Sequence, residues 1–334
     1  MAKNKAPNSI PLKNIKITDD FWGRYVKLVR DVIIPYQWDA LNDNIPGAEK
    51  SHAIKNFRIA AGLEEGEFYG AVFQDSDVAK WLEAVAYSLE NNPDTELEQK
   101  ADWVIDIIEK AQQPDGYLNT YYTIKEPENR WTNLAEGHEL YCAGHMIEAA
   151  IAYYNATGKR KLLDVVCRFA DYICDVFGSE PGKIRGYPGH QEIELALVKL
   201  YRVTGNKKFL DLARYFIEER GKEPYYFDIE YEKRGRTEIF PELRGYGRKY
   251  WQTHLPIYKQ YTIEGHAVRA LYMLSGIADI AIESQDQVMH DVCKRLWDNV
   301  VNRRMYVTGA VGSTPHGEAF TFDYDLPNDT VYGE

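Results

Sequence analysis

Along most of the chain, apolar residues recur at three- and four-residue steps in blocks of about 14 to 20, the spacing of one helical face. One block runs through Val78, Trp81, Leu82, Val85 and Ala86. Asp75-Ser76-Asp77 opens it, offering an N-cap and negative charge at the positive helix start, and Pro93 ends it. A second helix is expected over roughly 96–112, with Trp103, Ile105, Ile107 and Ile108, and the loop Gln112-Gln113-Pro114-Asp115-Gly116 closes the pair. The unit then repeats. Residues 147–163 read IEAAIAYYNATGKRKLL and residues 194–210 read ELALVKLYRVTGNKKFL, a shift of 47. In each, an apolar helix stops at Thr-Gly (Gly158, Gly205) and basic residues lead into the next helix. Residues 264–283 with 286–303 form another pair, and 19–38 with 49–62 a weaker first one, giving five.

Helix pairs repeating at this length predict an all-α fold, either a solenoid or a closed toroid. The long irregular links 114–136, 221–263 and 304–334 favour a toroid of the (α/α)6 barrel type, whose site is built from loops at one rim. The stretch 223–263, rich in Tyr, Arg, Gly and Pro, suits a short β-hairpin. No Gly-, Ser- or Pro-rich linker divides the chain, so residues 1–334 are expected to form a single domain. A six-pair barrel with only five pairs leaves an apolar edge uncovered, at about 25 cal/mol per Å². A complementary C-terminal chain, or self-association, is therefore expected to cover it.

Charge narrows the partners. With 40 Lys and Arg against 51 Asp and Glu the net charge is −11, which repels nucleic-acid phosphates and anionic membranes. No apolar run approaches a spanning helix, and MAKNKAPNSI lacks the apolar core of a signal peptide, so a cytoplasmic location is expected. Cys142, Cys167, Cys174 and Cys293 form no CxxC pair and read as buried thiols. The 25 tyrosines, 7 tryptophans and 12 phenylalanines suit a sugar's mixed face as well as a helical core.

Four of the eight histidines directly follow glycine: His138, His145, His190 and His266. His138, His190 and His266 each stand near the start of the first helix of a pair, where helix starts of a toroid converge at one mouth. Imidazoles there can hydrogen-bond sugar hydroxyls, and the helix dipole favours their neutral form. His145, a helical turn beyond His138, reads as core. Glu318, between Gly317 and Ala319, has the small neighbours that let a ligand approach, and is the candidate general acid. Asp323, Asp325 and Asp329 in the same run read as capping and turn residues. Phe73, Trp131 and Trp251 lie in loops or near helix starts, placed for stacking or for core packing. No phosphate loop, HExxH or GxSxG motif occurs.

The stretches FYGAVFQDSDVAKWLEAVAYSL (68–89), AQQPDGYLNTYY (111–122), GHELYCAGHMIEAAIAYYNATG (137–158), EGHAVRALYMLSG (264–276) and RRMYVTGAVGSTPHGEAFTFDYDLPNDTVYGE (303–334) resemble glycoside hydrolase family 127, whose best-known members are β-L-arabinofuranosidases. The resemblance implies an (α/α)6 catalytic barrel followed by β-sandwich domains, and release of β-linked L-arabinofuranose from oligosaccharides with retention. By motif it implies Glu318 as acid/base, His138, His190, His266 and Phe73 as sugar contacts, and Glu334 as a zinc ligand. It also implies a zinc-held cysteine thiolate as nucleophile, but the family's three cysteine ligands follow that glutamate, and none of this chain's four matches them. This chain alone is therefore not expected to hold zinc, and is read as the N-terminal portion of such a catalytic domain. Two other readings remain: a sugar epimerase or isomerase in which paired histidines exchange the proton, and a non-catalytic sugar-binding or assembly fragment.

Overall fold

The computed structural model describes residues 10–333, the Arg244 side chain excepted. Contacts divide the chain into two compact units: Met1–Arg130 with His145–Ile173, and Trp131–Gly144 with Cys174–Glu334.

In the first unit, Asp19 caps α1 (Asp20–Leu28), its carboxylate accepting from the Trp22 amide, and a π-helical stretch (Val29–Ile33) leads into α2 (Ile34–Leu41). Then come α3 (Ala53–Ala60), α4 (Asp75–Asn91), α5 (Thr95–Ala111) and α6 (Thr120–Ile124). The unit also holds most of α7 (Glu139–Thr157) and α8 (Lys161–Val176), between which Gly158 turns at φ +74. Its core gathers Trp81, Leu82 and Val85 of α4, Ile105 and Ile108 of α5, and Val166 and Phe169 of α8, all at most 2 % exposed. The Trp81 indole donates to the Ile34 carbonyl at 3.2 Å.

The start of α4 differs from expectation. The N-cap is Gln74, and no side chain caps the helix. Asp75 is buried, and its carboxylate accepts instead from the Thr120 amide (2.8 Å) and hydroxyl (2.5 Å). The acid that looks like a local cap is taken by a bond across 45 residues, and burial pushes its pKa up to about 6.

The second unit contains α9 (Ile193–Thr204), α10 (Lys207–Glu219), α11 (Tyr226–Lys233), α12 (Gly247–Tyr250), α13 (Ala267–Ser284) and α14 (Gln287–Asn299). Gly205 at φ +72 ends α9, and Asn206 caps α10 through the Lys208 amide, which is why Thr-Gly-Asn joins two helices without a linker. Leu197, Phe209, Phe216, Met273 and Ile277 fill the core. Where a hairpin was expected, 223–263 holds α11, α12 and two 3-10 turns and, among the described residues, no strand. Glu230–Arg234 and Glu232–Arg236 pair at helical spacing there, and the buried Glu230 carboxylate accepts from the amides of Leu134 (2.7 Å) and Ala135 (3.2 Å). Among the described residues one two-stranded ladder joins β1 (Gly265–His266) antiparallel to β2 (Ala319–Phe320), with Gly265 opposite Phe320 and His266 opposite Ala319.

The described part of 305–333 carries no helix. Asp323 clamps it, accepting from Asn299 (3.0 Å), Arg303 (2.7 Å) and Arg304 (2.8 Å), whose cations hold its carboxyl well below the usual range. The structural role expected for Asp323 is what is found. Both units are helical, each expected pair is present as helices, and the all-α class stands. Among the described residues no helix is long and apolar enough to cross a membrane.

Candidate active site

Three Gly-His steps lead into α7, α9 and α13. A Cβ on Gly189 would lie 2.0 Å from the Ala135 carbonyl, and one on Gly265, at φ +76, 2.0 Å from the Lys249 carbonyl. Only glycine lets those backbones pass so closely. In the first step His138 itself takes the left-handed conformation, at φ +55. The imidazoles meet in the second unit: His138 and His190 have ring centroids 5.9 Å apart, and His190 and His266 5.6 Å.

Their hydrogen bonds assign their tautomers. The His138 Nδ1–H donates to the Glu136 carbonyl, and the His190 Nδ1–H to the Gln191 carbonyl at 2.8 Å, leaving Nε2 as the acceptor nitrogen of each ring. His266 is reversed. As the N-cap of α13 its Nδ1 accepts from the Arg269 amide at 3.5 Å, so Nε2 carries the proton and donates to Glu318 Oε2 at 2.9 Å. Burial, and then the Arg269 cation, lower His266 to about 3 and hold His190 well below the usual range. For His190 and His266 the neutral form expected from the helix dipole is found, with burial as its main cause.

Glu318 is placed by backbone. It sits at φ +50, its carbonyl accepting from the Ala267 amide at 2.9 Å beside the β1–β2 ladder. Its side chain is 41 % exposed, so the carboxylate has His266 on one side and solvent on another. Gly317, at φ +71, passes 3.2 Å from the Tyr246 ring measured from an added Cβ.

Arg269 was not singled out in the sequence. It is buried against the faces of Tyr250 (4.7 Å) and Trp251 (4.5 Å), donates to the Gly189 carbonyl at 3.3 Å, and is lowered to about 10 by burial, so it stays charged. Nor were the rings around the imidazoles: Tyr141 (4.5 Å) and Tyr272 (5.8 Å) at His190, Phe240 (6.1 Å) at His138, and Tyr250 (5.6 Å) at His266. A signal existed, because Tyr141 and Arg269 each lie three residues beyond a site histidine, on the same helical face.

His138, His190, His266 and Glu318 thus come together in the second unit. Phe73 belongs to the first, just ahead of α4, where its carbonyl accepts from the Ser76 amide. Glu334 lies outside the described residues. His145 is buried, as expected. Trp131 and Trp251 are buried too, Trp131 edge-on to Phe177 and Trp251 against Phe227 and Arg269. A cavity of ≈ 330 Å³ has Glu136 and Trp251 in its wall but none of the three histidines. Among the described residues no three His, Cys, Asp or Glu side chains converge as a metal site. The residues present do not by themselves fit the zinc that the family resemblance implies.

A row of imidazoles among aromatic rings, two of them held neutral by burial, with one half-exposed carboxylate, is a surface suited to a polar, uncharged ligand, and the solved structures this chain resembles are glycoside hydrolases. It superposes with a TM-score of 0.93 on a GH127 β-L-arabinofuranosidase from Geobacillus stearothermophilus T6, 61 % identical, covering 96 % of this chain and 50 % of that one. A GH127 β-arabinofuranosidase follows at 0.83 and 38 %, covering 97 % and 48 %. The non-reducing end β-L-arabinofuranosidase of Bifidobacterium longum subsp. longum is 46 % identical over 96 % of this chain and 51 % of its own length. The family of β-L-arabinofuranosidase GH127 catalytic domains matches residues 14–334, and the chain belongs to it. It spans about half the length of the relatives it matches.

Proposed function

We propose that this chain supplies the sugar-binding wall and the proton donor of a retaining β-L-arabinofuranosidase acting on L-arabinofuranosyl oligosaccharides. The observation that carries the reading is the 2.9 Å contact between His266 Nε2 and Glu318 Oε2 within the row of three imidazoles. Glu318 protonates the departing glycosidic oxygen and then takes a proton from the attacking water. His266, kept neutral, donates to one carboxylate oxygen and leaves the other to face the ligand. His138 and His190 accept from sugar hydroxyls through Nε2. Phe73 is proposed as a further sugar contact on the family motif alone.

The nucleophile comes from elsewhere. Cys167 and Cys293 are pushed up by burial, the reverse of what an attacking thiolate needs, and none of the four cysteines is in a disulfide. Reduced thiols support a cytoplasmic location. In the family zinc supplies a lowered thiol pKa. Glu334 is proposed as one ligand, and no step here is derived through the metal.

The test is coexpression of this chain with a polypeptide equivalent to the other half of the GH127 relatives, with zinc present. The pair is expected to hydrolyse β-L-arabinofuranosides with retention, seen by NMR of the first-formed anomer. Glu318→Gln should lower kcat/KM on an oligosaccharide by about 10²- to 10⁴-fold. Wild-type rates in that variant overturn the role of Glu318. Sugar isomerisation by this chain alone, lost in His190→Ala but not in Glu318→Gln, would establish the epimerase reading instead.

A further inference from the structure

The helical stretch Asp20–Ile33 has no buried residue. Yet Trp22, Tyr25, Val29, Val32 and Tyr36 recur along it and into α2 at alternating three- and four-residue steps, all exposed, with Trp22 at 61 %, Val32 at 54 % and Tyr36 at 57 %. Phe21, Val26, Leu28 and Ile33 widen the stripe. Phe21, Trp22 and Tyr25 pack on one another with centroids 5.1 to 6.2 Å apart. The stretch is tied to the first unit at its ends: before it the Lys13 amide donates to Glu90 at 3.4 Å, and at its far end Arg30 donates to Asn92 and the Ile34 carbonyl takes the Trp81 indole.

Two physical arguments say that this face is covered in the working protein. A helix of about 14 residues is marginal in water unless its apolar side packs against something. A contiguous apolar patch of this kind marks an interaction surface, and a stripe at alternating three- and four-residue steps is the pattern that another helix fits. The occupant follows from length. This chain covers 96 % of itself but only 50–51 % of the GH127 relatives at 46–61 % identity, so those proteins carry as much polypeptide again, over which this chain has no counterpart.

We infer that the apolar stripe of residues 21–36 is the docking face for a helix of the polypeptide equivalent to the half of the GH127 proteins that this chain does not span. The inference shares with the functional reading the premise of a second half, but not the roles of the histidines or Glu318. Desolvation of the stripe drives assembly, while Arg24, Lys27 and Asp31 at its border remain in solvent.

The experiment coexpresses this chain with the unmatched half of the Geobacillus stearothermophilus enzyme and reads assembly, not activity. A one-to-one complex is expected by light scattering, with amide hydrogen exchange over 20–33 slowed about tenfold or more in the complex. Trp22→Glu with Val29→Glu and Val32→Glu should weaken assembly by about tenfold or more without lowering the thermal midpoint of this chain, since the three side chains are exposed. Three results overturn the inference: no complex, a complex that forms equally well with the triple variant, or a homodimer of this chain that itself protects 20–33. Assembly without hydrolysis would remove the functional reading and leave the docking face intact. Hydrolysis undiminished by the triple variant would do the reverse.

Discussion

The entrance of α13 and the stretch 20–33 use the same materials to opposite effect. At α13, Arg269 stacks on Tyr250 and Trp251, and all three are buried. At α1, Arg24 lies 5.2 Å from the Tyr25 ring beside Phe21 and Trp22, and all three rings stand in water. The first cluster is fixed by glycines that admit neighbouring carbonyls to 2.0 Å and by hydrogen bonds to Gly189 and the His266 cap. The second has the Asp19 cap at Trp22, but none of its rings is buried. Aromatic and basic residues therefore do not in themselves mark a site; whether backbone closes around them separates a finished wall from a face made to receive another molecule.

Substitutions sharpen the contrast. Gly265→Ala should have the largest effect, because its Cβ meets the Lys249 carbonyl and its φ is +76. A loss of about 3–5 kcal/mol is expected in the urea midpoint, and a loss below about 1 kcal/mol would show that the α13 entrance is not rigidly closed. His266→Gln tests the same wall through pH. With its folded pKa lowered to about 3 from the usual 6.5, His266 binds fewer protons folded than unfolded. Its contribution is whole above about pH 6.5 and is lost as pH falls toward 3. Between pH 7 and pH 5 the wild type should lose about 2 kcal/mol that the Gln variant keeps, read from paired urea titrations. Equal losses would mean the ring is not held neutral. Phe21→Ser with Val32→Ser in the isolated chain should change stability by no more than about 0.5 kcal/mol by thermal melting. A large loss there would mean that the stripe is already packed.

The helix pairs were legible because Thr-Gly stops and Asn or Asp caps act locally, as at Gly205 and Asn206. That the three histidines and Glu318 come together was partly legible for a similar reason, since the glycines before His190 and His266 register a crowded backbone. What escaped depended on distant partners. Asp75 reads as a cap, but Thr120, 45 residues on, takes its carboxylate. The stretch 223–263 reads as a hairpin, but Glu230 binds the amides of Leu134 and Ala135 and the segment turns helical. Arg269 follows His266 by three residues, but its ring partners Tyr250 and Trp251 come from a separate segment and meet it only in the folded unit, so no local spacing announces the stack.

The β1–β2 ladder is only two residues long on each side, yet it joins the Glu318 loop to the head of α13 through main-chain atoms alone. A joint of that kind is indifferent to which side chains surround it. The backbone of Glu318 is therefore held beside His266 by peptide groups, and only those side chains of the tail that neither clamp it, as Asp323 does, nor must stay small, as Gly317 must, are at liberty to vary.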